Sequence, residues 1–186
     1  EACQAHKLSP LVGLEIGLKV DNETIPFRMI ALSTKGYQNL MKMSTVKMMG
    51  KSNWEDVKHL TEGVAVIVPA PFASEDIPLG LDYFIGVFAD TPDQEFSHPV
   101  LPLHTVRFFE AEDMEAMQML AAIKDNQSLT ETGQIDPRTV LKTPQELQND
   151  FAERFPQAIT NLEKLVQGIQ YDIDTQLKLP RFNPQK

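Results

Sequence analysis

The stretch Val100-Leu-Pro-Leu-His-Thr-Val-Arg-Phe-Phe109 decides the fold. Its apolar first half is typical of a β-strand, and the strand brings His104, Thr105 and Arg107 to its carboxyl end. Residues 110–113 (EAED) follow at once and place negative charge where a helix N-terminus favours it. The pattern therefore predicts a strand, a short corner and a helix. Chemistry in α/β folds gathers at such strand ends, so the corner is the first candidate for a functional site.

The composition limits the class of protein. The chain has 186 residues, of which 42% are hydrophobic and 23% charged, and this suits one domain with a sizeable core. A net charge of −9 repels the phosphate backbone, so this chain alone is not expected to bind DNA. The single cysteine, Cys3, excludes an internal disulfide and predicts a cytoplasmic protein. No apolar run approaches the roughly 20 residues of a membrane span, which argues against a membrane partner.

Two apolar runs near the start of the chain predict a strand pair. They occupy residues 11–20 and 25–32, and the turn-forming Asp21 and Asn22 lie between them. Glu15 lies inside the first strand, where a carboxylate is costly unless it is paired, hydrogen-bonded or bound to a metal. The alternative, which we favour, places Glu15 on the solvent face of an edge strand, because charged residues are mostly exposed.

The central part of the chain predicts further strands. The continuous apolar run at residues 64–68 (VAVIV) is typical of a strand buried on both faces. Residues 81–88 form the next strand candidate, and only residues 90–99 separate it from the run that begins at Val100. A parallel crossover normally takes a dozen or more residues. This connection is therefore either a crossover stripped of its helix or a reversal of the chain.

The last third of the sequence predicts helices. Thr143-Pro-Gln-Glu146 is a capping box with proline at the first helical position, a specific start signal. The two helices that follow present one apolar seam, predicted to pack on the strands. Its members are Leu147, Phe151, Phe155, Ile159, Leu162 and Val166. Before them, Met114, Met117, Leu120 and Ile123 mark one face of the helix that follows the corner.

The search for catalytic motifs is negative. The sequence has no glycine-rich phosphate loop, no serine nucleophile elbow, no Cys-x-x-Cys and no His-Glu-x-x-His. Its four histidines, at positions 6, 59, 98 and 104, form no close pair with the spacing of metal ligands. Composition and motifs alone therefore predict an α/β domain and no particular chemistry.

The order of local sequences carries more information. The runs are EACQAHKLSPLVGLEI, STKGYQNLMKMS, LTEGVAVIVP, PLHTVRFFEAEDMEAMQMLAAI, LKTPQELQNDFAERFPQAITNLEKL and LKLPRFNP. Their succession closely resembles the N-terminal PHP (polymerase and histidinol phosphatase) domain of the bacterial DNA polymerase III alpha subunit, in its short, streptococcus-like Firmicutes version. The resemblance covers essentially all 186 residues. It implies an α/β fold, an incomplete and distorted PHP-type (β/α) barrel with additional C-terminal helices.

The resemblance also implies a division of the chain. Residues 1–110 correspond to the barrel core, and residues 111–186 to the C-terminal helical part that leads to the palm domain of the polymerase. The opening His-x-His segment and the Thr-Asp-His-Gly turn of the family would lie before Glu1. We therefore expect an N-terminally truncated fragment that lacks the first strands.

Family members with a working PHP site hold a metal cluster through a Gly-x-Glu carboxylate and an Asn-Asp-x-His-Tyr corner. Glu15, in Gly13-Leu-Glu15, matches the first motif. At the corner His104 is followed by Thr105 in place of the acidic ligand and by Arg107 in place of the histidine ligand. A guanidinium repels a divalent metal and has no lone pair to donate. The resemblance thus implies a degenerate site without metal or catalytic residues, in which Arg107 pairs with Glu15.

The function implied by the resemblance belongs to a larger protein. The intact protein would be a replicative DNA-directed DNA polymerase, a nucleotidyltransferase that uses Mg²⁺ in a palm domain outside this chain. The fragment would be an inactive scaffold or interaction domain without a cofactor, whose partners are the rest of the polymerase chain and replisome proteins.

Two alternatives remain open. The first is a PHP-type metal-dependent phosphoesterase or proofreading nuclease, which bound metal and phosphatase activity would favour. The second is a free-standing regulatory α/β module, which a reading frame ending near Lys186 would favour.

Overall fold

A computed structural model describes residues 2–6, 8, 10–73, 77–129 and 133–170. The strands are β1 (Gly13–Val20), β2 (Glu23–Ala31), β3 (Val64–Pro69), β4 (Phe84–Val87) and β5 (Val100–Pro102). The helices are α1 (Ala2–Ala5), α2 (Thr34–Met48), α3 (Trp54–Val57), α4 (Met114–Asp125), α5 (Pro144–Ala152) and α6 (Pro156–Gln167). Short 3₁₀ turns occupy Lys58–Leu60, Ala70–Phe72, Ala111–Asp113 and Pro137–Thr139.

The five strands form one sheet in the order β1-β2-β3-β4-β5. The β1–β2 pair is antiparallel, whereas β4 runs parallel to both β3 and β5. In the described ranges the sheet is open, with β1 and β5 at its edges. The predicted α/β class is confirmed. No helix in the described part of the chain combines the length and apolar character that crossing a membrane requires.

The chain divides into two compact units. The first contains residues 1–66 and the chain from Gly168 onward, and the second contains residues 67–167. The division implied by the resemblance, between residues 110 and 111, stays a prediction.

In the first unit, β1 and β2 form the hairpin that the sequence predicts. Asp21 takes a left-handed conformation, φ 52°, in the turn that brings Val20 opposite Glu23. The buried residues of β2 alternate along the strand, as one-sided burial requires: Ile25, Phe27, Met29 and Ala31. Phe27 stacks on Trp54 of α3, with ring centroids 5.1 Å apart. This pair forms the centre of the apolar core of the first unit.

The close approach of α2 to the segment before β3 depends on two glycines. Ser33 caps α2, and its Oγ accepts a hydrogen bond from the Gly36 amide at 3.1 Å. A Cβ atom at Gly36 would overlap the carbonyl oxygen of Gly63. Gly63 itself has φ +72°, a conformation that favours glycine. The entry into β3 is therefore fixed by backbone packing against the first turn of α2.

In the second unit the three parallel strands lie in register. Ile85 of β4 lies opposite Val68 of β3 on one side and opposite Val100 of β5 on the other. Residues 88–99 connect β4 to β5, and no helix or strand forms in this segment. The connection is therefore a parallel crossover without a helix, and the alternative of a chain reversal is wrong. Residues 65–70 are all buried, as predicted for a strand covered on both faces.

The predicted C-terminal helices cover this parallel part of the sheet. The capping box is present, since the Glu146 carboxylate accepts from the Thr143 amide at 2.7 Å. Asn161 of α6 donates to the Val100 carbonyl at 2.9 Å. Phe151 and Phe155 are almost completely buried, which confirms the centre of the predicted seam. The seam prediction is wrong at its far end, because Val166 is exposed.

The first test concerns this packing. Replacing Phe151 by Ala should lower the free energy of unfolding by about 3–5 kcal/mol, because a large buried ring leaves a cavity. Phe109→Ala is the matched control, since Phe109 is 73% exposed and its loss should cost at most about 0.5 kcal/mol. Urea unfolding of the two variants measures both values. Equal losses would contradict the burial of Phe151.

Candidate functional site

A cavity of about 350 Å³ lies where the three parallel strands end. Its wall comes first from residues that directly follow the strands: Pro71 after β3, Phe88, Ala89 and Asp90 after β4, and Leu103, His104 and Thr105 after β5. The rest comes from the segment around the last 3₁₀ turn: Asp136, Arg138, Thr139 and Lys142. Because the carboxyl ends of parallel strands meet at one edge of a sheet, this is the usual position of a site in an α/β fold.

The corner after β5 pairs with the segment at residues 139–141. β5 ends at Pro102, so the strand is shorter than the apolar run predicts. The Arg107 amide donates to the Thr139 carbonyl at 2.8 Å, and the Leu141 amide donates to the Phe108 carbonyl at 2.9 Å. These bonds hold the corner along one side of the cavity.

His104 lies on this wall and is half-buried. Its Nε2 is 2.8 Å from the Val140 carbonyl oxygen. A carbonyl oxygen accepts only, so this hydrogen bond assigns the proton to Nε2 and makes Nδ1 the acceptor nitrogen of the neutral ring. The contact fixes the orientation of the ring and leaves Nδ1 as the ring nitrogen that could bind a ligand.

Arg138 joins two carboxylates across the mouth of the cavity. Its Nη1 lies 2.6 Å from Asp90 Oδ2, and its Nη2 lies 2.8 Å from Asp136 Oδ2. Its Nε is 3.0 Å from Asp136 Oδ1, so the Asp136 contact is bidentate. The guanidinium therefore ties the segment after β4 to the last 3₁₀ turn.

The Arg138 cluster changes the protonation of its members. The side-chain hydrogen bonds from Arg138 are the main reason why the pKa of Asp136 falls from 3.8 to about 2. The Arg138 amide donates to Asp136 Oδ1 at 2.9 Å and adds to this effect, and the charge of Arg107 makes a smaller contribution. The carboxylates in turn raise the pKa of Arg138. Because all three side chains are largely exposed, the cluster positions the rim more than it stabilises the fold.

A second ion pair lies beside the cavity. Lys142 Nζ is 2.6 Å from Asp150 Oδ2, and both side chains are mostly buried. Asp150 belongs to α5, so the pair anchors the segment before α5 to the helix itself. The hydrogen bond from the Thr143 side chain also lowers the pKa of Glu146, so the carboxylate of the neighbouring capping box stays ionised to a more acidic pH than usual.

The structure brings some of the predicted site residues together. His104 and Thr105 both line the cavity, and the exposed Arg107 is close enough to influence Asp136. Glu15 lies in the other unit, on β1. Its side chain is 64% exposed and contacts Arg28 Nε at 3.2 Å, as the solvent-face interpretation predicts. The pairing of Glu15 with Arg107 stays a prediction, and Arg28 is the cation that contacts Glu15 in the structure.

The rim carries cations beside its carboxylates. Arg107 and Arg138 bring permanent positive charge close to the Asp136 carboxylate, and a guanidinium has no lone pair to donate to a metal. Within the described ranges, no three His, Cys, Asp or Glu side chains are arranged to hold a metal ion.

Sequence reasoning missed the residues that organise the rim. Asp136, Arg138 and Asp90 form its central ion pairs, yet none of them was identified as a site residue from the sequence. The signal that was available is the Asp136-Pro137 pair, since Asp before Pro favours a turn. The partner Asp90 carries no such signal, because 48 positions separate it from Arg138.

Comparison with curated proteins identifies relatives of one class, the subunits of bacterial DNA polymerases. The chain aligns over its whole length with DNA polymerase III subunit alpha of Streptococcus pyogenes, at 40% identity for serotype M3 (strain ATCC BAA-595 / MGAS315) and 41% for serotype M1. The same subunit of Bacillus subtilis (strain 168) is 27% identical over 98% of the chain. The chain spans 18% of the Streptococcus proteins and 20% of the Bacillus protein. A scan against protein-family models gave no match.

These alignments confirm the predicted resemblance to the DNA polymerase III alpha subunit, while the assignment to its PHP domain stays a prediction. The chain is homologous along its full length to a segment of DNA polymerase III subunit alpha. An identity of 40% over the complete chain leaves no part of the described fold outside the comparison.

The second test concerns the Arg138 cluster. Arg138→Gln should raise the pKa of Asp136 from about 2 toward 3.8, because the main cause of the lowering is lost. Arg107→Gln is the control and should change this pKa much less, because Arg107 contributes least to the lowering. A carboxyl-carbon NMR titration measures both shifts.

The pH dependence has a definite sign. Since the pKa of Asp136 is lower in the folded chain, its stabilising contribution is present above pH 3.8 and is lost as the pH falls through about 2. In the NMR titration, similar shifts of the Asp136 pKa in Arg138→Gln and Arg107→Gln would contradict the assigned contacts.

Proposed function

We propose that this chain acts as a non-catalytic scaffold segment within the alpha subunit of a replicative DNA polymerase. The observation that carries the proposal is the alignment of the complete chain with 18% of DNA polymerase III subunit alpha at 40% identity. DNA synthesis would then be carried out by other segments of the subunit, with Mg²⁺ bound there. The protein would act in the cytoplasm, where bacterial chromosomes are replicated.

The proposal includes the PHP-type barrel that the resemblance implies, in an incomplete and distorted form. Three parallel strands with a cavity at their carboxyl ends support it. The corner that carries His104 and Thr105 lies at the same edge, where a PHP barrel would hold its metals.

The chemistry of the rim supports a scaffold over an enzyme. Metal-dependent phosphoester hydrolysis needs ligands with available lone pairs and an activated water. At this rim the Asp90 and Asp136 carboxylates are paired with the permanently charged guanidinium of Arg138. Groups engaged in this way hold segments together. PHP-type phosphoesterase activity is the alternative function that the following test can detect. No contact among the described residues favours it.

The third test uses the intact polymerase subunit. Arg138→Gln and His104→Ala should each leave the rate of primer extension within about twofold, because a scaffold contact does not act on the reacting atoms. The unmodified subunit should show no hydrolysis of p-nitrophenyl phosphate with Mn²⁺ or Zn²⁺ beyond a metal-free control. Metal-dependent hydrolysis that His104→Ala abolishes would contradict the scaffold proposal.

The partners follow from the same proposal. A scaffold segment would contact the rest of the polymerase chain and, through it, other replisome proteins. Direct contact with the DNA backbone is disfavoured by the net charge of −9.

The fourth test measures DNA binding by this chain. A filter-binding assay at low salt should detect no micromolar affinity for duplex DNA, since phosphate attraction requires clustered Lys and Arg. Raising the salt concentration should then change nothing. A micromolar dissociation constant that weakens with salt would contradict the assignment.

A further inference from the structure

Helix α4 exposes most of its large apolar side chains. All twelve of its residues are described, and the one buried residue among them is Ala122. We define the α4 face as four exposed apolar residues on this helix and just after it. They are Met119, Leu120, Ile123 and Leu129, with exposed fractions of 43%, 58%, 75% and 49%. The face therefore lies on the outside of the second unit.

The energetics of α4 make this exposure informative. Isolated helices shorter than about 12–15 residues are marginal in water, and most helices in proteins are stabilised by packing an apolar face. The ends of α4 are well capped, by the Glu110–Asp113 capping box and by Asn126 in a left-handed conformation. Its packing is limited, because Ala122 is the one buried residue and Met114 and Met117 are only half-buried. Burial of the exposed Leu and Ile side chains against a partner would stabilise the helix further.

The face also has a shape that suits docking. A surface cavity of about 510 Å³ lies along it, and it is lined by Met119, Ala122, Ile123, Asn126, Gln127 and Leu129. A concave apolar surface can receive a side chain from a partner, whereas scattered exposed residues cannot. Contiguous apolar patches on soluble proteins mark sites of interaction.

The charges around the face indicate what kind of partner fits it. Residues 110–125 carry five carboxylates, Glu110, Glu112, Asp113, Glu115 and Asp125, and one cation, Lys124. Two copies of this chain that met through the α4 face would bring two acidic rims together, which disfavours a homodimer. A surface with apolar side chains and a rim of Lys or Arg is complementary.

The complementary surface can belong to the same protein, because the relatives are much longer than this chain. The chain spans 18% of DNA polymerase III subunit alpha, so more than four fifths of that subunit lies outside it. We propose that the α4 face is the docking surface for another segment of the same polymerase chain, one that presents apolar side chains within a basic rim. This inference rests on the proposed function. It adds the particular surface through which the scaffold would contact the rest of the subunit.

The test is a cysteine-labelling experiment on the intact polymerase subunit in a Cys3→Ser background. Leu120→Cys and Ile123→Cys place thiols on the α4 face, and Met48→Cys is the control because Met48 is 86% exposed on α2. Maleimide labelling at each position is followed by peptide mass spectrometry. We expect labelling at 120 and 123 to be at least about tenfold slower than at 48, because a covered position reacts through rare opening.

The outcomes separate this inference from the proposed function. Equal labelling rates at the three positions in an intact, active polymerase would overturn the docking surface and leave the scaffold proposal in place. Protection that appears only as the protein concentration rises would assign the face to a second copy and would also overturn it. Rates at 120 and 123 that stay slow at every concentration would support it.

Discussion

The parallel ladder of β3, β4 and β5 is the constraint on which the second unit depends. Parallel strands are normally joined by a helix that covers one face of the sheet. Here residues 88–99 return from β4 to β5 without a helix. Other groups must therefore cover the apolar strands and satisfy the polar backbone of the connecting segment. The positions of α5 and α6 follow from this requirement.

The contacts of residues 88–99 show how the requirement is met. Arg154, which follows α5, donates to the Ala89 and Thr91 carbonyls, each at 3.2 Å. The buried Thr91 hydroxyl accepts from the Phe88 amide at 2.8 Å, so the chain turns without leaving that donor unpaired. The rings of Phe96 and Phe155 lie 6.1 Å apart, which links the connection to the apolar core. The chain between α5 and α6, at Arg154 and Phe155, thus takes over part of the packing and hydrogen bonding of the missing crossover helix.

The helices and strands were easier to predict from the sequence than the contacts that each of them makes. The run at residues 64–68 and the capping box at Thr143 were recognisable because burial on both faces and helix capping are local patterns. The length of β5, the exposure of α4 and the ion pairs of Arg138 could not be recognised in the sequence. Periodicity identifies an apolar face without saying what covers it, and an ion pair between positions 90 and 138 depends on the complete fold. The role of Arg138 could therefore not be predicted from the sequence, although Arg138 lines the same cavity as His104 and Thr105.

The rim and the core of the second unit contribute to the fold in different ways. A metal cluster binds its ligands with a large free energy that adds to folding. The Arg138 pairs are exposed and screened by solvent, so they cannot supply an equivalent free energy. Their effect is directional, because the bidentate contact fixes how the 3₁₀ turn meets the segment after β4. Stability must come instead from burial around Phe151 and Phe155, on the side of the strands that α6 covers. Such a domain can tolerate changes at the rim around its strand ends. The ion pairs of the rim fix local geometry, whereas burial of apolar side chains against the helices stabilises the fold.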